Sequence, residues 1–333
     1  MNRIPRGSVA VLSLLLASFA ASAAGASGSS VLDKTGRINL WVGTGILDGG
    51  VTYRIGGHVT EPGDSFDVAF PISELNWQLS KIPINTAGAG FFAIDQLEIS
   101  ARASWSGSER TGVVKDSDWT TPGSPQNMQG NLVGIYSESD STVKVLEGDA
   151  SACYWFEDKE PGFNFEEPFH FGFALGYLYQ SFSWNASNLD QWYPYYPDVP
   201  HEKIAGLVGT YEAVIRVPYA ALEGKAQFDK FSVTGTLGYS PLAVVEDRDD
   251  HLLRTILATT RNEGYALKGG LQTRYDITKC LFLGLRGDFL VLFAEGKEND
   301  IVYSGANAGQ TWTIDHKVES TNYTLSADIG LCF

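Results

Sequence analysis

From residue 37 onward this chain alternates large apolar residues with small or polar ones at a period of two. In "HFGFALGYLYQSF" the residues Phe171, Phe173, Leu175, Tyr177 and Tyr179 fall on one face, with Gly172, Ala174 and Gly176 on the other. In "LFLGLRGDFLVLF" Leu281, Leu283 and Leu285 oppose Gly284, Arg286 and Asp288. The last segment sets Tyr323, Leu325, Ala327, Ile329, Leu331 and Phe333 against Thr324, Ser326, Asp328 and Gly330. A period of two means extended strands. A greasy face opposite a small or charged one fits a closed transmembrane barrel, with lipid outside and a polar lumen. A soluble barrel or sandwich shows the same period with the apolar face inward.

Three features favour the membrane. The segments run to about 12–18 residues, against five or six for strands of soluble proteins. Aromatic residues gather near segment ends, as in "FSW" and "QWYPYY", which fits interfacial girdles. The chain closes an alternating strand on Phe333, which resembles the terminal signal read by bacterial outer-membrane assembly. The expected fold is therefore all-β, an antiparallel transmembrane barrel of about ten strands. They fall near 37–47, 73–92, 95–111, 143–157, 169–185, 204–220, 228–246, 260–277, 280–297 and 319–333. Tight turns are expected at 93–94 and 278–279, and long extracellular loops at 48–72, 112–142, 186–203, 247–259 and 298–318. By that parity the segments beginning near 112 and 247 emerge at the same, extracellular, end.

Composition agrees and adds the compartment. Glycine is abundant (36), aromatic residues make up 12%, and methionine is scarce at 2, a balance that suits strands and turns better than helices. Arg3 and Arg6 precede the apolar run "VAVLSLLLASFA" and the small residues "ASAAGASGSS". That is the layout of a secretory signal peptide over 1–23, cleaved after Ala23, followed by a lead over 24–36 and the barrel over 37–333. The net charge of −15 argues against nucleic acid as a partner and suits attraction of basic peptides. There is no CxxC, zinc spacing or phosphate-binding glycine loop, so no cofactor or metal is expected.

The candidate chemistry sits in two short motifs. "VVKDSDW" carries Asp116 and Asp118 at the top of the third strand, and "EDRDDH" carries Asp249 and His251 at the top of the seventh. Both have i, i+2 spacing, which puts both side chains of a pair on one face, about 7 Å apart. A carboxylate beside imidazole orients the ring, and imidazole exchanges protons near neutrality. Two facing carboxylates sharing a proton can hold and polarise water. Together they could add water to a peptide carbonyl. Taken singly, a DxD is most often a solvated turn. A DxH among acids is a solvated loop or, less often, a metal site, the latter weakened because one histidine among hard carboxylates is a poorly matched ligand set.

With these landmarks the mature chain resembles the omptins, ten-stranded outer-membrane endopeptidases of Gram-negative bacteria. "SELNW" at 73–77, "DSDW" at 116–119, "RVPY" at 216–219 and "DRDDH" at 247–251 carry the resemblance at similar gapped spacing. It implies that Asp249 and His251 form a water-activating dyad, that Asp116 and Asp118 face it, and that Asp247 lines the pocket for a basic side chain before the scissile bond. It also implies peptide or protein substrates, a monomer in the outer membrane with its site facing the medium, and dependence on lipopolysaccharide. Five positions depart from the family pattern. A second pocket acid falls on Gly50 if its landmark tyrosine is Tyr53, and a supporting histidine falls on Ser141. In the lipid-binding set, Tyr179 and Ser181 stand where the family has glutamate and arginine, and Val214 where it has arginine, which leaves Arg261 as the candidate lipid contact.

A barrel of this fold that binds at the surface without cleaving is the alternative. A polar pore is disfavoured, because a barrel of about ten strands is largely filled by side chains. Of the cysteines, Cys280 and Cys332 fall where the ninth and tenth strands adjoin at the periplasmic rim. They are read either as a disulfide in an oxidising compartment or as two free small fillers, with Cys153 too far around the barrel to pair with either.

Overall fold

Alternation without an edge requires a closed ring, and the computed structural model has one. It describes residues 38–119, 133–156 and 169–333; the expected signal peptide and lead lie outside the described residues. The strands are β1 (Ile38–Glu61), β2 (Asp64–Asp67), β3 (Ser73–Ile94), β4 (Leu97–Trp105), β5 (Glu109–Asp118), β6 (Ile135–Trp155), β7 (Phe169–Trp192), β8 (Glu202–Phe228), β9 (Phe231–His251), β10 (Ile256–Asp276), β11 (Leu281–Val302) and β12 (Thr311–Cys332). All pairings are antiparallel, each long strand bonding its chain neighbours, and β1 closes the ring by pairing with both β12 and β3. Two of the twelve strands add no position to the ring. β4 and β5 occupy one position, since both pair with β3 and β6. β2 pairs with β1 alone among the described residues. The ring thus has ten strand positions, the number expected.

The long loops are a different matter. Most of the residues expected at 48–72, 186–203, 247–259 and 298–318 are strand. β1 has 24 residues and β8 has 27, whereas a tilted strand crosses a bilayer in about 9–11. The surplus stands outside the lipid. Outward residues such as Val42, Ile46, Leu175, Leu237, Leu285 and Leu325 are exposed and form an apolar belt. Beyond Ile46, Leu242, Tyr265 and Phe293 the outward positions change to Asp48, Glu246, Arg248, Glu263, Arg261, Glu295 and Lys297. These extensions alternate polar with polar or mixed residues, so their period carries no contrast in hydropathy.

The lumen is layered. Within the belt, Arg102 pairs with Glu147 (3.1 Å) and Asp288 (2.5 Å), while Lys268 bonds Asp149 and the Tyr219 hydroxyl. Above it lies an aromatic layer, with Tyr211 stacked on Trp77 (5.0 Å between centroids) and Trp184 (5.5 Å), and Tyr53 against Tyr211 and His316. The three cysteines are free. Cys280 and Cys332 do lie side by side, the Cys332 amide donating to the Cys280 carbonyl at 3.0 Å. The Cys332 thiol, however, donates to Asn39 and accepts from Arg274, while Cys280 is exposed in the turn. The unbridged reading is the one this geometry holds.

Replacing Arg102 by methionine leaves buried carboxylates without their cation. The barrel is expected to lose about 3–5 kcal/mol, the usual result of breaking a buried ion pair from one side. Urea unfolding in detergent micelles checks this; an unchanged midpoint would show the network to be idle.

Candidate active site

Parity sorts the acidic knot at the end of β9. A register irregularity between Ser240 and Ala243 resets which residues face inward, a common use of a bulge. Beyond it Val245, Asp247 and Asp249 are buried inward, while Glu246, Arg248 and Asp250 face out. The outward set finds outward partners. Glu246 holds Arg216 (2.7 Å) and Arg261 (2.8 Å), and Asp250 accepts from the Tyr303 hydroxyl at 3.0 Å.

Inside, Asp249 Oδ2 accepts the Tyr53 hydroxyl in a very short hydrogen bond and lies 3.5 Å from His251 Nε2. Burial, and then the Asp249 charge, raise the Tyr53 hydroxyl well above its ordinary range, so it stays a donor. The turn to β10 follows at once, the Arg254 amide donating to the His251 carbonyl at 3.0 Å. Its guanidinium reaches Asp118, with Nη2 3.5 Å from Oδ2.

Asp116 and Asp118 come from the opposite wall. β5 is held between β3 and β6, with Asp116 opposite Leu75 and Ser137 and Asp118 opposite Ser73 and Ile135. Two adjoining clefts, each of about 590 Å³, meet at Asp116, His251 and Arg254; one continues to Asp249 and Ser139, the other to Asp118 and Glu298. The dyad and the acid pair therefore face one space. Burial, and then the neighbouring Asp118 charge, push the Asp116 carboxyl up to about 8, against the opposing pull of Arg254 and Ser73. Near neutrality the pair thus holds a proton on Asp116, and Asp116 Oδ1 has no hydrogen-bond partner. Such a pair can donate to one oxygen and accept from another.

Four of the six site residues expected from sequence, Asp116, Asp118, Asp249 and His251, line the clefts. Asp247 lies one step deeper, 7% exposed, with the Asn262 amide 3.4 Å away. Gly50 shares the outward parity of Asp48 and Thr52, and the inward residues of this part of β1 are Val51, Tyr53 and Ile55. Ser141 points inward and is buried, its hydroxyl without a partner. Arg261 lies outside, just above the belt, beside Glu246. Sequence reasoning missed four participants: Tyr53 as donor to Asp249, Arg254, Glu298 and Asp300. The last two form a third acidic i, i+2 pair inside the segment expected to be loop. Among the described residues no group of three or more His, Cys, Asp or Glu is disposed to hold a metal ion.

Several of these carboxyls titrate in the same unusual direction. Burial is the first cause in each case, raising Asp247 and Asp300 to about 7 and Glu298 well above its ordinary value. A carboxyl whose folded pKa lies above its unfolded value of about 4 favours the fold most below that value. Stability then falls as pH rises from about 4 towards 8. Unfolding midpoints are expected to be lower at pH 8 than at pH 5, and Asp300→Asn with Glu298→Gln should flatten the difference. A midpoint that rises with pH over that window would contradict the assignment.

The family model described as the omptin family matches residues 39–333. Among solved structures, the outer membrane protease OmpT from Escherichia coli is similar at a TM-score of 0.73 and 18% identity, over 92% of this chain and 100% of that one. The outer membrane protein OprG from Pseudomonas aeruginosa is a weaker match, at a TM-score of 0.37 and 11% identity over 90% of this chain and 97% of that one. A search of curated proteins gives no match.

Proposed function

The chain belongs to the omptin family of outer-membrane proteases, and from that premise we propose that it hydrolyses peptide bonds at the cell surface with water activated by Asp249 and His251. The observation that carries this reading is the shared cleft, with Asp116 and His251 on opposite walls and Asp249 fixed by Tyr53. A substrate carbonyl between the walls meets a base on one side and a proton donor on the other. His251 takes a proton from water as the new C–O bond forms, its Nε2 side turned to Asp249 so that the imidazolium is stabilised. Asp116 donates its hydrogen bond to the carbonyl oxygen as negative charge develops there. The imidazolium then gives its proton to the leaving amine as the C–N bond breaks. The 3.5 Å separation of His251 and Asp249 is the loose geometry common before substrate binds.

Asp247 favours a basic residue before the cleaved bond through its charge beneath the cleft. Lipopolysaccharide is the proposed activator. Arg261 and Arg216 converge on Glu246 just above the apolar belt, with Tyr179 opposite Arg216, at the level where anionic lipid headgroups lie. Arginine is the residue best suited to phosphate.

The barrel refolded with lipopolysaccharide is expected to cleave peptides, and His251→Ala or Asp249→Ala to lower turnover a hundredfold or more while keeping the folded mobility on gels. Full activity in either folded variant would defeat this mechanism. Arg261→Ala is expected to weaken activation, so that more lipopolysaccharide is needed for half-maximal activity, and to leave the saturated rate near wild type. An unchanged activation curve would remove Arg261 from the lipid site.

A further inference from the structure

β1 sends no acid into the upper lumen among the described residues, but β11 does, and the strand register shows where. Asp249 stands opposite Ala258 on β10, which stands opposite Asp300 on β11. One step deeper, Asp247, Thr260 and Glu298 form the next row. Each row reads acid, small residue, acid, and the flanking strands are two spacings, roughly 10 Å, apart. The small side chains of β10 thus form a trough between two acidic columns. Glu298 also lines the cleft that holds His251 and Asp116, so the trough opens beside the proposed reaction centre.

The third row is its inner end. Val245, Asn262 and Gly296 lead to His316 on β12. A Cβ on Gly296 would come within 2.4 Å of the Arg261 carbonyl and 2.7 Å of Asn262 Oδ1, so glycine is what lets Asn262 and His316 meet. The Asn262 amide nitrogen is turned to Thr260 (2.8 Å) and Asp247 (3.4 Å), which leaves its oxygen facing His316 Nδ1 at 3.1 Å. Nδ1 therefore carries the proton and Nε2 the lone pair. That lone pair has no hydrogen-bond partner and lies 3.7 Å from Glu298 Oε2, in a ring only 1% exposed. The Glu298 carboxyl that faces it is held above its ordinary range by burial and then by the Asp300 and Asp247 charges.

Burial keeps the His316 imidazole neutral, with its pKa pulled down to about 3, so it brings no positive charge. Arg254, the arginine that lines the cleft among the described residues, is committed to Asp118. Three inward carboxyl groups and an acceptor nitrogen are thus arranged around a trough, with no lysine or arginine among the described residues paired to them. The complement is a long side chain ending in several N–H donors. Guanidinium fits better than ammonium, because it presents five donors in a planar fork and is less strongly hydrated.

We propose that Glu298, with Asp300 above it and Asp247 across the β10 trough, is the residue that selects an arginine side chain of the substrate. The proposal rests on the proteolytic reading for its substrate, and it moves the second acid of the pocket from β1 to β11.

The test uses peptides that differ only in arginine or norleucine before the cleaved bond. Glu298→Gln keeps size and hydrogen bonding but removes charge. It is expected to lower the arginine-to-norleucine ratio of kcat/KM about tenfold or more. Glu295→Gln, outward on β11 and paired with Lys317, should leave that ratio alone. A second arm does not need catalysis: binding of N-acetylarginine amide to the His251→Ala barrel, followed by NMR, should weaken about tenfold on adding Glu298→Gln. An unchanged ratio together with unchanged binding in a folded Glu298→Gln barrel overturns the proposal. So does a parent barrel that binds the arginine amide no better than the norleucine amide. Glu298-dependent binding by a wild-type barrel that cleaves nothing supports the pocket and defeats the proteolytic reading instead.

Discussion

Closure of the sheet is the constraint on which the rest of this molecule depends. Because β1 pairs on both sides, with β12 and with β3, every long strand has two neighbours and the ring has no edge to be satisfied by water. Each side chain then has only two choices, in or out, set by its parity along the strand. Leu175 and Leu285 outside, Arg102 and Asp288 inside, and the division of "EDRDD" into an inward and an outward set all follow from that rule. A one-residue shift of register would exchange them, and the irregularity between Ser240 and Ala243 shows the chain using such a shift to aim Asp247 and Asp249 inward.

The two polar ends of the lumen differ in how their charge is balanced. In the membrane layer, Arg102 and Lys268 sit among Glu147, Asp149 and Asp288 at bonding distance. Above the aromatic layer, Asp116, Asp118, Asp247, Asp249, Glu298 and Asp300 have, among the described residues, Arg254 at Asp118 and His251 at Asp249 as their basic partners. The first arrangement holds a barrel together. The second costs stability, since buried like charges raise one another's pKa and favour protonation. Concentrated strain of that kind is characteristic of sites kept for function. The Trp77–Tyr211–Trp184 stack separates the two and fixes the height of Tyr53, hence of Asp249.

Much of this was legible in the sequence. Apolar-against-small alternation gave the ring and its ten positions, because lipid contrasts sharply with lumen. The i, i+2 acids of "DSDW" and "DRDDH" gave two facing walls. Where the contrast fails, so does the expectation: "ENDIV" at 298–302 and "VTYRIGGHVTE" at 51–61 alternate polar with polar or mixed residues, which predicts loop, although both are strand. That error hid Glu298 and Asp300, which have the same spacing as the motifs that stood out. Tyr53 and His316 could not be found locally at all, because their partners lie 196 and 54 residues away in the chain and meet them only once the ring closes.

In the proposed reaction the upper lumen activates water directly, with no covalent link between enzyme and peptide. Rapid-quench mass spectrometry of the refolded barrel with lipopolysaccharide and a susceptible peptide in ¹⁸O-water tests it most directly. One ¹⁸O is expected in the new carboxyl terminus from the first turnover, with an enzyme mass unchanged at every time point. An enzyme species heavier by the acyl fragment, formed and consumed at the rate of cleavage, would contradict it.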